Sequence, residues 1–115
     1  MPDAVAYKVL TADQLASLER DGSFAGAPVD LADGYIHLST ADQLAGTIDK
    51  HFAGQEDLQL LAVDLEALSD AVRWEESRGG QLFPHVYAPL TLETVLAYSP
   101  LAYEPDGSIR LPVAG

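Results

Sequence analysis

Residues 58–65 read Leu58-Gln59-Leu60-Leu61-Ala62-Val63-Asp64-Leu65, almost continuously apolar with one polar side chain near each end. A run this short and this apolar predicts a strand covered on both faces, hence the middle of a sheet. Its neighbours are sought on either side. Upstream, Val5 to Leu10 is short and β-prone and reads as a first strand, and Tyr35 to Ser39 reads as a second. Downstream, Val72 to Ser77 reads as an edge-like strand, Phe83 to Tyr87 as an extended segment, and Thr94 to Tyr98 as a last strand. Pro84 forbids helix in the second of these, because proline lacks the amide proton and restricts the residue before it.

Helices are expected in two places. The segment TADQLA occurs at residues 11–16 and again at 40–45, each time after a strand. Thr followed three residues on by Gln is a capping box, in which each side chain satisfies a backbone amide at the helix start. Leu15 and Leu18 supply the first helix's buried stripe and Gly22 its stop; Leu44, Ile48 and Phe52 supply the second's, with Gly54 as the stop. Residues 23–34, punctuated by Gly26, Pro28 and Gly34, read as a loop. A short helical turn is expected over Leu65 to Ser69, and a turn over Arg78-Gly79-Gly80-Gln81. Pro105-Asp106-Gly107 marks a turn that makes residues 101–112 a hairpin appended to the core. Two copies of one helix start, with no further period, do not make a repeat protein.

The 115 residues fall within the range of one domain, and 48% hydrophobic content suffices for a core. Eighteen acids against six bases give a net charge of -12. That balance repels phosphate backbones and anionic membranes, so bulk nucleic acid and membrane surfaces are not expected partners. There are no cysteines, which removes disulfides, thiol catalysis and zinc–thiolate sites and suits a cytoplasmic protein. No stretch approaches the ~18 apolar residues of a membrane span, and Met1-Pro2-Asp3 does not begin a signal peptide. The three histidines are not spaced as metal ligands, so no metal site is expected. Nucleotide-binding glycine loops, a nucleophile elbow and HExxH are absent.

The polar residues able to do chemistry concentrate in two strand motifs, Tyr35-Ile36-His37-Leu38-Ser39 and Phe83-Pro84-His85-Val86-Tyr87. Alternation puts Tyr35, His37 and Ser39 on one face, and Phe83, His85 and Tyr87 on one face. His37 is either a satisfied strand histidine or an acid–base group at a cleft. His85 is either an incidental member of an aromatic cluster or part of a site wall whose rings stack on a planar ligand. Thr40 reads as a helix cap at a junction whose free amides also favour an anion. Glu75 and Glu76 point to opposite faces, so they are not a paired-carboxylate system; Glu75, on the face opposite Trp74, is the one placed to enter a site. Arg73 either pairs with Glu75 or adds positive charge near the second motif. Lys8 either snorkels to the surface or supplies charge to the site. His51, close to a helix C-terminus, reads as structural.

The strings DGYIHLST, LLAVDLEAL, RWEE and FPHVYAPL, in that order and spacing, resemble the bacterial family known as domain of unknown function 952, over residues 5–99 with 100–115 as a tail. That family is related in fold to the ADP-ribosyltransferases and RNA 2′-phosphotransferases. The resemblance implies an α+β fold, ADP-ribosyltransferase-like: one domain over residues 1–115, with a mostly antiparallel, twisted or split sheet of about six strands and two main helices. It implies a cleft for NAD or another small nucleotide or phosphorylated metabolite. His37, His85 and Glu75 stand at its catalytic positions; Lys8, Ser39, Thr40, Arg73, Phe83 and Tyr87 are the ligand-binding candidates. Two positions depart from the family pattern. Lys8 stands where a first-strand histidine is usual, and ammonium is a flexible point charge rather than a ring donor. Ala88 replaces a usual glycine, which disfavours a positive-φ turn there.

Three functions compete. A transferase-type enzyme uses Glu75 to polarise a hydroxyl or stabilise an oxocarbenium-like centre. A non-catalytic binding module uses the two histidines alone. A protein-interaction domain has Phe83, His85 and Tyr87 packed in the core with no adjacent cleft.

Overall fold

The structure is a computed structural model that describes residues 4–112. Three antiparallel units make up its β-structure. Strands β1 (Val5–Leu10), β4 (Gln59–Asp64) and β8 (Val95–Pro100) form one sheet in the order β1-β4-β8. Strands β3 (Ile36–His37), β6 (Leu82–Val86) and β5 (Val72–Glu76) form a second in the order β3-β6-β5. A two-residue ribbon pairs β2 (Ser23–Phe24) with β7 (Leu90–Thr91). The two larger sheets touch at a single bridge, where Tyr7 N–H donates to Ser39 O at 2.7 Å and Ser39 N–H to Tyr7 O at 2.9 Å. The six longer-range strands therefore make a split antiparallel array, joined at one point and open beyond it.

β4 is central, and its alternation explains why the run from Leu58 is so apolar. Leu61 and Val63 join a core cluster with Leu15 and Leu18 of α1 (Ala12–Asp21). Leu58 and Leu60 join another with Leu44 and Ile48 of α3 (Leu44–His51). Both helices begin where the TADQLA repeats predict. Thr11 caps α1, its Oγ1 accepting from Gln14 N–H at 3.2 Å while Gln14 Oε1 accepts from Thr11 N–H at 2.9 Å. At the second copy Gln43 Oε1 accepts from Thr40 N–H at 3.0 Å, and one turn of 3-10 helix precedes α3. α1 ends at Gly22 in the left-handed region. α3 stops at Phe52, two residues before the expected Gly54. The short α4 (Leu65–Leu68) follows β4, and residues 101–112 fold back as a hairpin bridged at Tyr103 and Ile109.

One expectation fails outright. Residues 23–34 are not a loop: they hold β2 and a helix, α2 (Pro28–Asp33). Pro28 occupies the first turn, where its missing amide costs nothing. Asp30 Oδ2 accepts from Ala27 N–H at 2.8 Å, and Gly34, at φ 90°, ends the helix. The buried residue of α2 is Asp30, so it has no apolar stripe for periodicity to detect. The turn at Ala88 also proves compatible with alanine, since the non-glycine residues at positive φ are Asp57 and Ser69 among those described. No helix of the described residues is long and apolar enough to cross a membrane.

Candidate functional site

The site grows out of the second sheet. His37 on β3 and His85 on β6 are directly opposed in register, and Arg73 on β5 opposes His85 from the other side. Opposed residues share a face, so Tyr35, His37, Phe83, His85, Tyr87, Arg73 and Glu75 all stand on one side of this sheet. Ile36, Leu38 and Val86 on the other side are core. The two histidine rings meet edge to face at 5.4 Å. Tyr35 lies between them, stacked on His85 at 4.1 Å and tilted against His37 at 4.7 Å.

Where the two sheets diverge beyond the Tyr7–Ser39 bridge, a cleft of about 250 Å³ opens. β1 contributes Tyr7, Lys8 and Val9 to its walls; the β3 segment contributes His37, Leu38 and Ser39; β6 contributes Phe83 and His85. α3 adds Thr47, Lys50, His51 and Phe52, and the α2 region adds Ala27, Val29 and Asp33. Ser39 Oγ and Thr47 Oγ1 are 2.8 Å apart. The walls thus combine apolar and aromatic surface with hydroxyls and, on α3, the Lys50 ammonium.

Lys8 does not snorkel. It is 6% exposed, and its Nζ lies 2.9 Å from Asp30 Oδ2 and donates to His37 O at 3.0 Å. It projects from the face of β1 that also carries Ala6 and Leu10, where it is held against Asp30 and the His37 carbonyl. Burial pushes its pKa below the ordinary value, against the attraction of Asp30. Burial pushes the Asp30 carboxyl up, but the His37 hydrogen bond and the Lys8 charge outweigh it and hold the group at about 2. Asp30 also accepts from His37 N–H at 3.1 Å. His37 Nδ1 is 2.6 Å from Asp30 Oδ1 and Nε2 is 2.9 Å from Asp33 Oδ2, so both contacts are hydrogen bonds when the ring carries two protons. His37 therefore clasps α2 to the sheet.

His85 is held differently. Its Nδ1 is 2.8 Å from Glu75 Oε1, to which Tyr87 OH also donates at 2.7 Å. Glu75 is kept below the usual carboxylate range by the Tyr87 bond first and the His85 bond second, and Tyr87 is correspondingly raised. The other nitrogen of His85, Nε2, is buried without a hydrogen-bond partner. Arg73 does not pair directly with Glu75; its guanidinium stands 5.2 Å from the centre of the Tyr87 ring.

Five of the nine sequence candidates therefore line the cleft: Lys8, His37, Ser39, Phe83 and His85. Glu75, Tyr87 and Arg73 form a second group that reaches the cleft only through His85. Thr40 is a helix cap outside it. Phe83 and His85 are buried as the packed core of an interaction domain would have them, but Tyr87 is 45% exposed and a cleft adjoins the cluster, so that arrangement holds only in part. His51, read as structural, is part of the wall. Asp30, Asp33, Thr47 and Lys50 were not candidates. The four-residue spacing from Asp33 to His37 is the one local signal that pointed at any of them. Among the described residues no group of His, Asp or Glu is arranged to hold a metal ion.

A family model described as "Protein of unknown function (DUF952)" matches residues 9–98. The chain belongs to the DUF952 family. This DUF952 protein is also similar to solved structures of protein CC0527 from Caulobacter crescentus. The crystal structure is 42% identical over 92% of this chain and 93% of that one, with a TM-score of 0.83. The solution NMR structure is 42% identical over 92% and 91%, with a TM-score of 0.77. No curated protein matches.

Proposed function

We propose that the cleft of this DUF952 protein binds a small nucleotide of the NAD or ADP-ribose type. The observation that carries this reading is His85, a residue of the cleft wall whose Nε2 is buried without a hydrogen-bond partner. Such atoms are uncommon, because leaving one unsatisfied costs about 1–3 kcal/mol, and a bound ligand removes the cost. The remaining walls suit the same chemistry. Phe83, Phe52 and Tyr7 offer ring surface to a base, Ser39 offers a hydroxyl, and Lys50 offers positive charge to phosphate. At about 250 Å³ the cleft is smaller than sites of ~300–1,000 Å³ that enclose a drug-sized ligand. It suits the nucleoside part of a dinucleotide, with the rest at the rim.

The ADP-ribosyltransferase resemblance assigns catalysis to Glu75. The carboxylate faces His85 and Tyr87 instead of the cleft, which favours binding, or chemistry through His85, over direct attack on an oxocarbenium-like centre. An amide NMR titration with NAD and ADP-ribose tests the reading. Saturable shifts are expected at residues 8, 37–39, 50–52 and 83–85, with the hairpin at 103–109 unmoved. A folded protein showing no shifts at millimolar concentration of either ligand overturns it.

A further inference from the structure

His85 is 2% exposed, on the middle strand of its sheet, with Tyr35 stacked against its ring at 4.1 Å. Its two nitrogens have opposite surroundings. Nδ1 meets a carboxylate oxygen at 2.8 Å, and Nε2 meets no partner. Glu75 is ionised at neutral pH, and an ionised carboxylate can only accept, so the shared proton sits on Nδ1. A second proton on Nε2 would place a charged donor in a buried position with nothing to receive it, which costs more than an unfilled lone pair. The tautomer with Nδ1–H and a bare Nε2 is therefore the one this environment selects.

We propose that His85 is an acid–base group of the cleft, its Nε2 accepting a proton from an O–H or N–H of the bound molecule, with Glu75 as the positioning residue. This rests on the reading of the cleft as a small-molecule site and specifies its ligand as one that presents a proton donor, such as a ribose hydroxyl. In full transfer the ligand O–H bond breaks, a bond forms between the proton and Nε2, and the electron pair stays on the oxygen. The imidazolium so formed faces the negative Glu75, which offsets its charge. The Glu75 side chain is 39% exposed, so this end of the dyad exchanges protons with solvent.

Long-range proton–nitrogen correlation spectra of the free protein at neutral pH test the tautomer without any ligand. The expected wild-type pattern is a protonated Nδ1 and a bare Nε2. The Glu75→Gln side-chain amide can either accept from Nδ1–H or donate to a bare Nδ1, so a single tautomer is no longer fixed and a mixture of the two protonated nitrogens is expected. A wild-type ring protonated at Nε2, whether alone or together with Nδ1, overturns the proposal even if no variant folds. So does a Glu75→Gln spectrum identical to the wild type. With ADP-ribose, Glu75→Gln is expected to bind about tenfold more weakly, whereas equal affinity overturns the assigned role. Failure of the wild type to bind ADP-ribose is read separately, in the amide shifts. It removes that ligand while the tautomer still decides whether the dyad exists.

Discussion

Asp30 is the residue on which most of the local structure converges. Its two oxygens serve Lys8 Nζ, the His37 ring, the His37 amide and the Ala27 amide, and it is 1% exposed. Its folded pKa of about 2 lies below the ordinary 3.8. A depressed carboxylate stabilises the fold fully above its unfolded pKa and loses that contribution as pH falls through the folded one. Asp30 should thus account for ~2 kcal/mol of stability that disappears between about pH 4 and pH 2. Urea denaturation across that range, wild type against Asp30→Asn, isolates it from the other acids; parallel pH profiles would count against the assignment. Asp30→Asn should itself cost ~3–5 kcal/mol at neutral pH, because it strands a buried Lys8 ammonium. Adding Lys8→Met should recover part of the loss, and a double variant no more stable than the single would show that the charge is not the cause. Sequence alone marked Lys8 as out of place among apolar neighbours. It could not supply the partner, which lies 22 residues away in a segment that looks like a loop. Strand alternation showed which neighbours share a face with His37, His85 and Glu75 within each strand, but not that the three meet, since that depends on the register between strands.

At the scale of elements, the features written in local chemistry were readable and those written in a single tertiary contact were not. The capping box at Thr11 announces α1, and removing it with Thr11→Ala should cost about 1 kcal/mol, read as a lower urea midpoint with unchanged slope. A loss well below this would mean that packing of Leu15 and Leu18 alone sets the helix start. α2 escaped because its anchor is an acid. The two-residue β2 and β7 escaped because two residues have no period. Gly26 shows how closely α2 is held. Its φ is 138°, and a Cβ there would come within 2.8 Å of Asp30 Cβ. Gly26→Ala should cost more than the lost cap, and it should perturb the His37 and Lys8 amide signals as well as those of α2. Changes confined to residues 25–27 would show that α2 can move without disturbing the cleft wall.

For the whole molecule, the order of the strands is set by pairings far apart in sequence, such as β1 with β4 and β4 with β8, which no local pattern encodes. The apolar run from Leu58 identified the centre of one sheet, but the opening between sheets depends on where β1 and β3 part after Tyr7 and Ser39. That opening sits in a protein of net charge -12, so an anionic ligand meets two opposing fields. Close in, Lys50 on the wall attracts it. Farther out, the total charge repels it. The molecule measures 37 × 36 × 30 Å. The screening length is about 30 Å at 0.01 M salt and about 8 Å at 0.15 M. Dilute salt therefore lets the ligand feel every charge, while physiological salt leaves mainly those at the rim. The association rate of ADP-ribose, measured by stopped flow, should rise as salt increases over this interval. A protein that neutralises phosphates with a broad basic surface behaves the opposite way, its affinity falling steeply with salt. A rate that falls would mean that the cationic rim of α3 dominates at all distances, and phosphate capture there, rather than contact with His85, would then be the first step of binding.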